Sequence, residues 1–140
     1  MNQHWAFPLI GKEYTDGTDG RSTDGPDTFN CWGLVRWCFV QERNIQMPLI
    51  PVGRNLREDR AEAIRQVEDA TGWRRSYDHV PRDWDIAVMH SADGRHVGLV
   101  LVVNGGVHLL HALEGVGVIL TPIGELWMFA LSNITLWRQA

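Results

Sequence analysis

The chain has 140 residues, of which 44% are apolar and 21% are charged, and its formal net charge is −4 at neutral pH. This size and composition suit one globular domain spanning residues 1–140 and exclude a wholly disordered chain. The acidic balance lacks the basic footprint of a nucleic-acid binder, so we expect no nucleic-acid partner. The longest apolar-rich stretch, residues 97–103, is far too short for a bilayer, so we expect no membrane insertion.

The chain contains only two cysteines, Cys31 and Cys38. On one helix they would lie two turns apart, about 10 Å by helix rise, which is too far for a disulfide between them. Residues 1–10 lack a basic segment followed by a long apolar run, so they do not resemble a secretory signal. We therefore expect synthesis in the cytoplasm, where thiols stay reduced.

Residues 1–30 are rich in turn-forming residues and predict a loop-rich arm. Three Asp-Gly pairs lie there: Asp16-Gly17, Asp19-Gly20 and Asp24-Gly25. The spaced aspartates suggest a calcium loop, but the glutamate that an EF-hand requires after the glycine is absent. We therefore interpret segment 16–27 as surface turns.

Two segments show the spacing of helices. Residues 31–43 carry apolar side chains at helical intervals, and Asn30 is placed to cap the first turn. Residues 56–70 have a thin apolar stripe among many charges and precede Gly72, which indicates a peripheral helix.

From residue 85 onward, short apolar stretches separated by glycine-containing turns predict strands. Five are predicted: 85–90, 96–103, 107–113, 116–121 and 133–138. Helices followed by a run of antiparallel strands indicate an α+β fold.

The hairpin around Asn104-Gly105 predicts a definite register, because this dipeptide favours a two-residue turn. Three pairs follow: Val103 with Gly106, Leu99 with Leu110, and Gly98 with His111. His96 and His111 then project from the same face as a diagonal pair, while His108 projects from the other. A three-residue loop without a bulge would reverse this parity.

Cys31 stands at the start of the predicted nucleophile helix, where the helix dipole and free N–H groups favour a thiolate. His96 can act as its general base, and His111 can orient the imidazole and stabilise its charged form. Cys38 lies in the middle of the helix on its apolar face, which indicates a core residue.

The same Cys31, His96 and His111 could instead be three ligands of a zinc site. Zinc motifs usually show tight spacing such as CxxC or HExxH, and neither occurs in this sequence. A serine triad has no supporting GxSxG motif. We therefore favour the cysteine nucleophile and expect neither a metal nor a cofactor.

Four stretches of the chain resemble NlpC-type cell-wall cysteine peptidases, particularly phage-encoded members, and together they cover about residues 8–121. GPDTFNCWGLVRWCF resembles the nucleophile motif, and HVGLVLV resembles the strand that carries the base. LLHALEGVGV resembles the strand of the third residue, and LIGKEYTDG resembles the approach to the nucleophile. The resemblance implies a papain-like α+β fold, with an N-terminal nucleophile helix packed on an antiparallel sheet.

This resemblance also implies roles and a setting. Cys31 would be the nucleophile, His96 the base and His111 the orienting residue, with Tyr14 and Trp32 as substrate contacts. The substrate would be a peptidoglycan stem peptide, commonly cleaved beside D-glutamate and diaminopimelate. Phage-type members resemble tail proteins, so other tail proteins are expected partners, and a virion could carry the enzyme to the bacterial wall.

The sequence departs from the family pattern at several places, which include the long aspartate-rich loop between Tyr14 and Cys31. Asn30 stands where the family usually has Asp, which keeps the cap but removes a charge beside Cys31. Trp84-Asp85 replaces the common Gly-Asp pair.

Two other functions use the same residues: a non-enzymatic tail assembly component that retains the fold, and a papain-like amidase or acyltransferase acting on another substrate.

Overall fold

The computed structural model describes residues 3–47, 72–92 and 94–139. The helix predicted at residues 56–70 lies outside these ranges. Within them, no helix combines the length and apolarity needed to cross a membrane.

The predicted first helix is present as α1, Cys31–Cys38, which continues through a wider π-type turn at Phe39–Arg43. Asn30 caps it as expected, because its side-chain oxygen accepts a hydrogen bond of 2.6 Å from the backbone N–H of Gly33. The helical segment ends at Asn44, whose backbone is left-handed with φ 54°.

The fold is α+β, as predicted, with one six-stranded antiparallel sheet. Its strands are β3 (Trp73–Ser76), β4 (Ile86–Ser91), β5 (Gly94–Val103), β6 (Gly106–Leu113), β7 (Gly117–Pro122) and β8 (Ser132–Gln139). Their order across the sheet is β3-β8-β4-β5-β6-β7. All five predicted strands are present, and their ends shift by one or two residues.

Several short elements escaped the sequence patterns. The N-terminal arm contains a 3₁₀ turn, Phe7–Leu9, and two very short parallel strands, β1 (Glu13–Tyr14) and β2 (Thr28–Phe29). A second 3₁₀ helix spans Ile123–Phe129 between β7 and β8. Two-residue strands and a short 3₁₀ helix offer too few residues for a recognisable period.

The sheet is covered on both faces. The helix face packs against α1 and carries Leu99, Leu101 and Leu110. The C-terminal face packs against the 3₁₀ helix Ile123–Phe129 and carries Val100 and Leu109. Burial on both sides explains why β5 is almost continuously apolar rather than alternating.

The turn between β5 and β6 forms as predicted. Asn104 and Gly105 both have positive φ, 50° and 80°, as a type I′ turn requires. Val103 pairs with Gly106, and Leu99 pairs with Leu110.

Two aspartates of the arm, Asp16 and Asp19, serve local turns. Asp16 accepts a 3.0 Å hydrogen bond from the backbone N–H of Thr18, and Asp19 accepts one of 3.1 Å from that of Arg21. Such bonds are typical of Asx turns and agree with the interpretation of segment 16–27 as surface turns.

Trp84 precedes β4 with a left-handed backbone, φ 72°. Its ring stacks on Trp5 at 5.3 Å between centroids and meets the edge of Phe39 at 5.0 Å. The guanidinium of Arg43 lies 4.5 Å from the Trp84 ring. One side chain thus connects the N-terminal arm, the end of the first helical segment and the sheet.

A buried ion pair fastens the last strand to the loop before β4. Asp85 is 1% exposed, and its two carboxylate oxygens accept hydrogen bonds from Arg138 Nε at 3.1 Å and Arg138 Nη2 at 2.8 Å. Asp85 Oδ2 also accepts a bond of 2.9 Å from the backbone N–H of Arg82.

We expect Asp85→Ala to lower the free energy of unfolding by about 2–3 kcal/mol, because Arg138 and the backbone N–H of Arg82 lose their hydrogen bonds to the buried carboxylate, while Arg138 keeps its ion pair with Asp78 at 3.3 Å. Urea unfolding followed by fluorescence measures this change. Asp27→Ala is the matched control, since Asp27 lies 3.7 Å from Lys12 on the surface and such pairs contribute little. Equal urea midpoints for both variants would contradict the structural role of the Asp85–Arg138 pair.

Candidate active site

Cys31 is the first residue of α1 and is only 6% exposed. Its position at the helix start gives it the neighbouring N–H groups of the first turn and the positive end of the helix dipole. Cys38 is fully buried two turns later, and burial raises the pKa of its thiol far above the usual range. The core position predicted for Cys38 is therefore confirmed.

The N-terminal arm holds the start of α1 in place. The backbone N–H of Asn30 donates a 2.7 Å hydrogen bond to the carbonyl of Thr23. A Cβ atom added at Gly33 would lie 1.9 Å from the same Thr23 carbonyl oxygen. Only glycine allows this approach, so the arm and the first turn of α1 are fitted together around Cys31.

His96 and His111 form a buried hydrogen-bonded pair. His96 Nε2 lies 2.8 Å from His111 Nδ1, and the two residues are 6% and 0% exposed. The predicted placement of both histidines on one sheet face is thereby confirmed. The bond uses Nε2 of His96, so Nδ1 is the nitrogen that could take a proton from a thiol.

Thr121 extends this pair to a third group. His111 Nε2 lies 2.9 Å from Thr121 Oγ1, and Thr121 is 5% exposed. The ring of Phe129, from the 3₁₀ helix, packs edge-on against His111 at 6.0 Å between centroids. Sequence reasoning missed Thr121, because its orientation depends on the length of the turn between β6 and β7.

Both histidines are neutral at physiological pH. Burial lowers the pKa of His96 from 6.5 to about 4. Burial, and then the nearby His96, lower the pKa of His111 to about 3. A neutral His96 is a base ready to accept a proton, rather than one half of a preformed thiolate–imidazolium pair.

The buried pair predicts acid sensitivity. Because the folded pKa values lie below the unfolded value, the unfolded chain binds more protons below pH 6.5, and stability falls as the pH falls. We expect a loss of about 2 kcal/mol per histidine between pH 7.5 and 5. The urea midpoint of the wild type, compared with that of His96→Gln at both pH values, measures it.

The pH range from 7.5 to 5 also separates the contribution of the histidines from that of Asp78. The pKa of Asp78 is lowered from 3.8 to about 2, mainly by the backbone N–H of Val80, so its contribution is lost only at lower pH. A wild-type midpoint that does not change between pH 7.5 and 5 would contradict a neutral buried pair.

The structure also shows on which side of the sheet the pair lies. His111 packs against Phe129 and lies two residues after Leu109 in β6. Both side chains therefore project from the C-terminal face. His96 pairs with Met89, which belongs to the same apolar cluster as Leu109. The body of α1 covers the opposite, helix face. Strand alternation therefore directs the two histidines away from the body of α1.

The backbone pairing between β5 and β6 ends before it reaches the histidines. The β5–β6 pairing stops at Leu99 and Leu110, whereas β5 continues along β4 to Gly94 and β6 continues along β7 to Leu113. The His96–His111 hydrogen bond spans the gap between the two strands.

The start of α1 lies at this same end of the sheet. Backbone hydrogen bonds of 2.9 Å join Gly11 and Lys12 to Val118, near the start of β7. The next residues form β1, which pairs with β2, and β2 leads into Cys31. The arm thus brings the start of α1 to the end of the sheet where the histidines meet.

The two implied substrate contacts differ in exposure. Trp32 is 4% exposed and packs in the core, so its ring presents almost no surface to a substrate. Its implied substrate role finds no support, and packing is the role that the structure gives it. Tyr14 lies in β1 and is partly exposed.

The zinc alternative receives no support from side-chain placement. Among residues 3–47, 72–92 and 94–139, no three His, Cys, Asp or Glu side chains are grouped so that they could hold a metal ion.

Comparison with known proteins gives the fold alone. No family model matches the chain, and no curated protein matches it. Among solved structures, a "putative xylanase from Bacteroides fragilis" is similar, with a TM-score of 0.50 and 14% sequence identity. The match covers 94% of this chain and 98% of that one. Identity this low carries no information about activity.

Proposed function

We propose that the chain is a papain-like cysteine hydrolase of the NlpC type that cleaves peptide bonds in peptidoglycan stem peptides. The observation that carries the proposal is the buried pair His96–His111, joined at 2.8 Å. A base oriented by a second polar group is the arrangement that nucleophilic catalysis requires. Cys31 is the candidate nucleophile because it starts the helix at the same end of the sheet.

The proposed reaction has two steps. The Cys31 thiol gives its proton to Nδ1 of His96 while its sulfur attacks the scissile carbonyl carbon. The C–N bond then breaks, the proton passes from His96 to the leaving amine, and an acyl-enzyme remains. In the second step, His96 takes a proton from water, the resulting hydroxide attacks the thioester, and the thiol is restored.

Backbone N–H groups in the first turn of α1 are suited to the developing oxyanion. They point toward the start of the helix, where N–H donors can stabilise a negatively charged oxygen, and the N–H of Gly33 is the one that the Asn30 side chain binds. Neutral His96 fits this sequence of steps, because it can accept the thiol proton only when Nδ1 is unprotonated.

The proposal makes one geometric demand. The body of α1 lies on the helix face, whereas the histidines project from the C-terminal face. The Cys31 sulfur therefore has to reach Nδ1 of His96 at the end of the sheet, beyond the last β5–β6 pair. The proposal is supported by the end of the β5–β6 pairing at Leu99 and Leu110, because the backbone ladder between these strands does not extend to the histidines.

Purified peptidoglycan fragments incubated with the wild type test the function directly. Mass spectrometry should show cleavage within the stem peptide, and prior alkylation of Cys31 should prevent it. The masses of the products identify the bond. Cleavage that persists after complete alkylation of Cys31 would overturn the cysteine mechanism.

The alternative of a non-enzymatic tail component rests on a specific observation. The body of α1 and the histidine pair lie on opposite faces of the sheet, as they would if the pair were purely structural. Alkylation kinetics separate the two functions. An activated Cys31 thiol should react faster with iodoacetamide in the wild type than in His96→Ala, whereas a scaffold thiol should react equally in both.

The biological setting is part of the same proposal. A protein carried by a phage tail could be delivered directly to the bacterial wall, and other tail proteins would then be its partners. An amidase or acyltransferase would use the same thiol on other amide or ester bonds. Incubation of the wild type with small amides, esters and amine acceptors distinguishes these activities from peptidase activity.

A further inference from the structure

Three buried polar groups lie in a row across the neighbouring strands β5, β6 and β7. His96 Nε2 is 2.8 Å from His111 Nδ1, and His111 Nε2 is 2.9 Å from Thr121 Oγ1. All three residues are at most 6% exposed. Buried groups of this kind have to satisfy one another, so a proton placed on one nitrogen fixes the positions of the others.

The row allows two proton arrangements while both histidines are neutral. In the first, His96 Nε2–H donates to His111 Nδ1, and His111 Nε2–H donates to Thr121. In the second, His111 Nδ1–H donates to His96 Nε2, and the Thr121 hydroxyl donates to His111 Nε2. Only the first leaves Nδ1 of His96 without a proton and therefore able to act as a base.

Only the first arrangement persists once His96 becomes charged. Both nitrogens of an imidazolium carry protons, so His96 Nε2–H has to donate and His111 Nδ1 has to accept. Neutral His111 then carries its proton on Nε2, next to Thr121. A hydroxyl can accept that hydrogen bond, whereas an apolar side chain would leave the N–H buried and unpaired.

We propose that Thr121 is a positioning residue whose hydroxyl accepts the hydrogen bond of His111 Nε2–H, which stabilises the tautomer of His111 that lets His96 accept a proton at Nδ1. This inference rests on the proposed function only for its effect on Cys31. The tautomer of His111 is a separate property that can be measured without any substrate.

Thr121 is well fixed for this role. Its backbone pairs with Leu109 in the β6–β7 ladder, and its branched side chain has few rotamers available in a strand. Valine has the same shape without the hydroxyl, and serine keeps the hydroxyl without the methyl group. Thr121→Val and Thr121→Ser therefore form a matched pair of variants.

The first readout is the ¹⁵N chemical shifts of the His111 ring at pH 7. We expect the Nε2–H tautomer in the wild type and in Thr121→Ser, and a shift toward the Nδ1–H tautomer in Thr121→Val. The proposal is overturned if the wild type shows the Nδ1–H tautomer, or if Thr121→Val leaves the ring shifts unchanged. Thermal unfolding confirms that each variant is folded.

The second readout is the rate at which iodoacetamide alkylates Cys31. Thr121→Val should slow it roughly tenfold to a hundredfold, and Thr121→Ser should restore most of the rate. If His96→Ala also leaves the rate unchanged, the proposed function fails while the tautomer result still decides the role of Thr121. If His96→Ala slows alkylation and Thr121→Val does not, the positioning role is overturned.

Discussion

Replacing Cys31 with alanine is expected to reduce stem-peptide cleavage by at least about ten-thousandfold, because the variant has no nucleophile and cannot form the acyl-enzyme. Cys31 is 6% exposed at the start of α1, and removal of one sulfur atom there leaves the Asn30 cap intact. The variant should therefore fold normally. Cleavage of purified fragments, followed by mass spectrometry over several hours, measures the loss.

Cys38→Ala is the matched control for this experiment. It removes a second thiol from the same helix, fully buried and with a strongly raised pKa. We expect it to retain cleavage activity and to lose about 1 kcal/mol of stability through a small cavity. A Cys31→Ala protein as active as Cys38→Ala would refute the assignment of Cys31 as nucleophile.

Replacing His96 with alanine is expected to lower the cleavage rate roughly a thousandfold, in line with the loss of a general acid–base group. The loss should be deepest near neutral pH, where His96 is neutral and able to accept the thiol proton. His111→Ala should have a smaller effect, roughly tenfold to a hundredfold, since His111 orients the base but does not accept the thiol proton.

His108→Ala is the control for both histidine variants. His108 lies on β6 but projects from the other face, and its Nδ1 bonds the carbonyl of Gly106 at 2.9 Å. His96→Gln serves as a second variant, because it retains a polar side chain beside His111 if alanine destabilises the site. Near-wild-type cleavage by a folded His96→Gln would contradict the role of His96 as base.

The sequence predicted the histidine pair because a two-residue turn determines which residues of the two strands lie opposite each other and on which face their side chains project. Asn104-Gly105 determined the turn, the turn determined the register, and the register placed His96 and His111 side by side. Each step depends on neighbouring residues alone. For the same reason the start of α1 was predictable from Asn30 and the helical spacing after it.

The side of the sheet that α1 covers could not be predicted in this way. Strand parity shows which residues share a face, but not which face a distant helix will pack against. Both faces of β5 are apolar, so its sequence suits either choice. Thr121 was missed for a related reason, since its partner became known only once the three-residue connection between Leu113 and Gly117 was seen.

Trp84 has a consequence for how the N-terminal arm should be regarded. A left-handed backbone costs a bulky residue roughly 1–2 kcal/mol, and glycine would adopt it without strain. The indole recovers more than this by packing against Trp5 and Phe39 and by lying under Arg43. Those contacts make the arm an integral wall of the domain rather than a dispensable leader. Trimming it back past Trp5 would remove the stacked partner of the ring and leave Phe39 and Arg43 to offset the backbone strain.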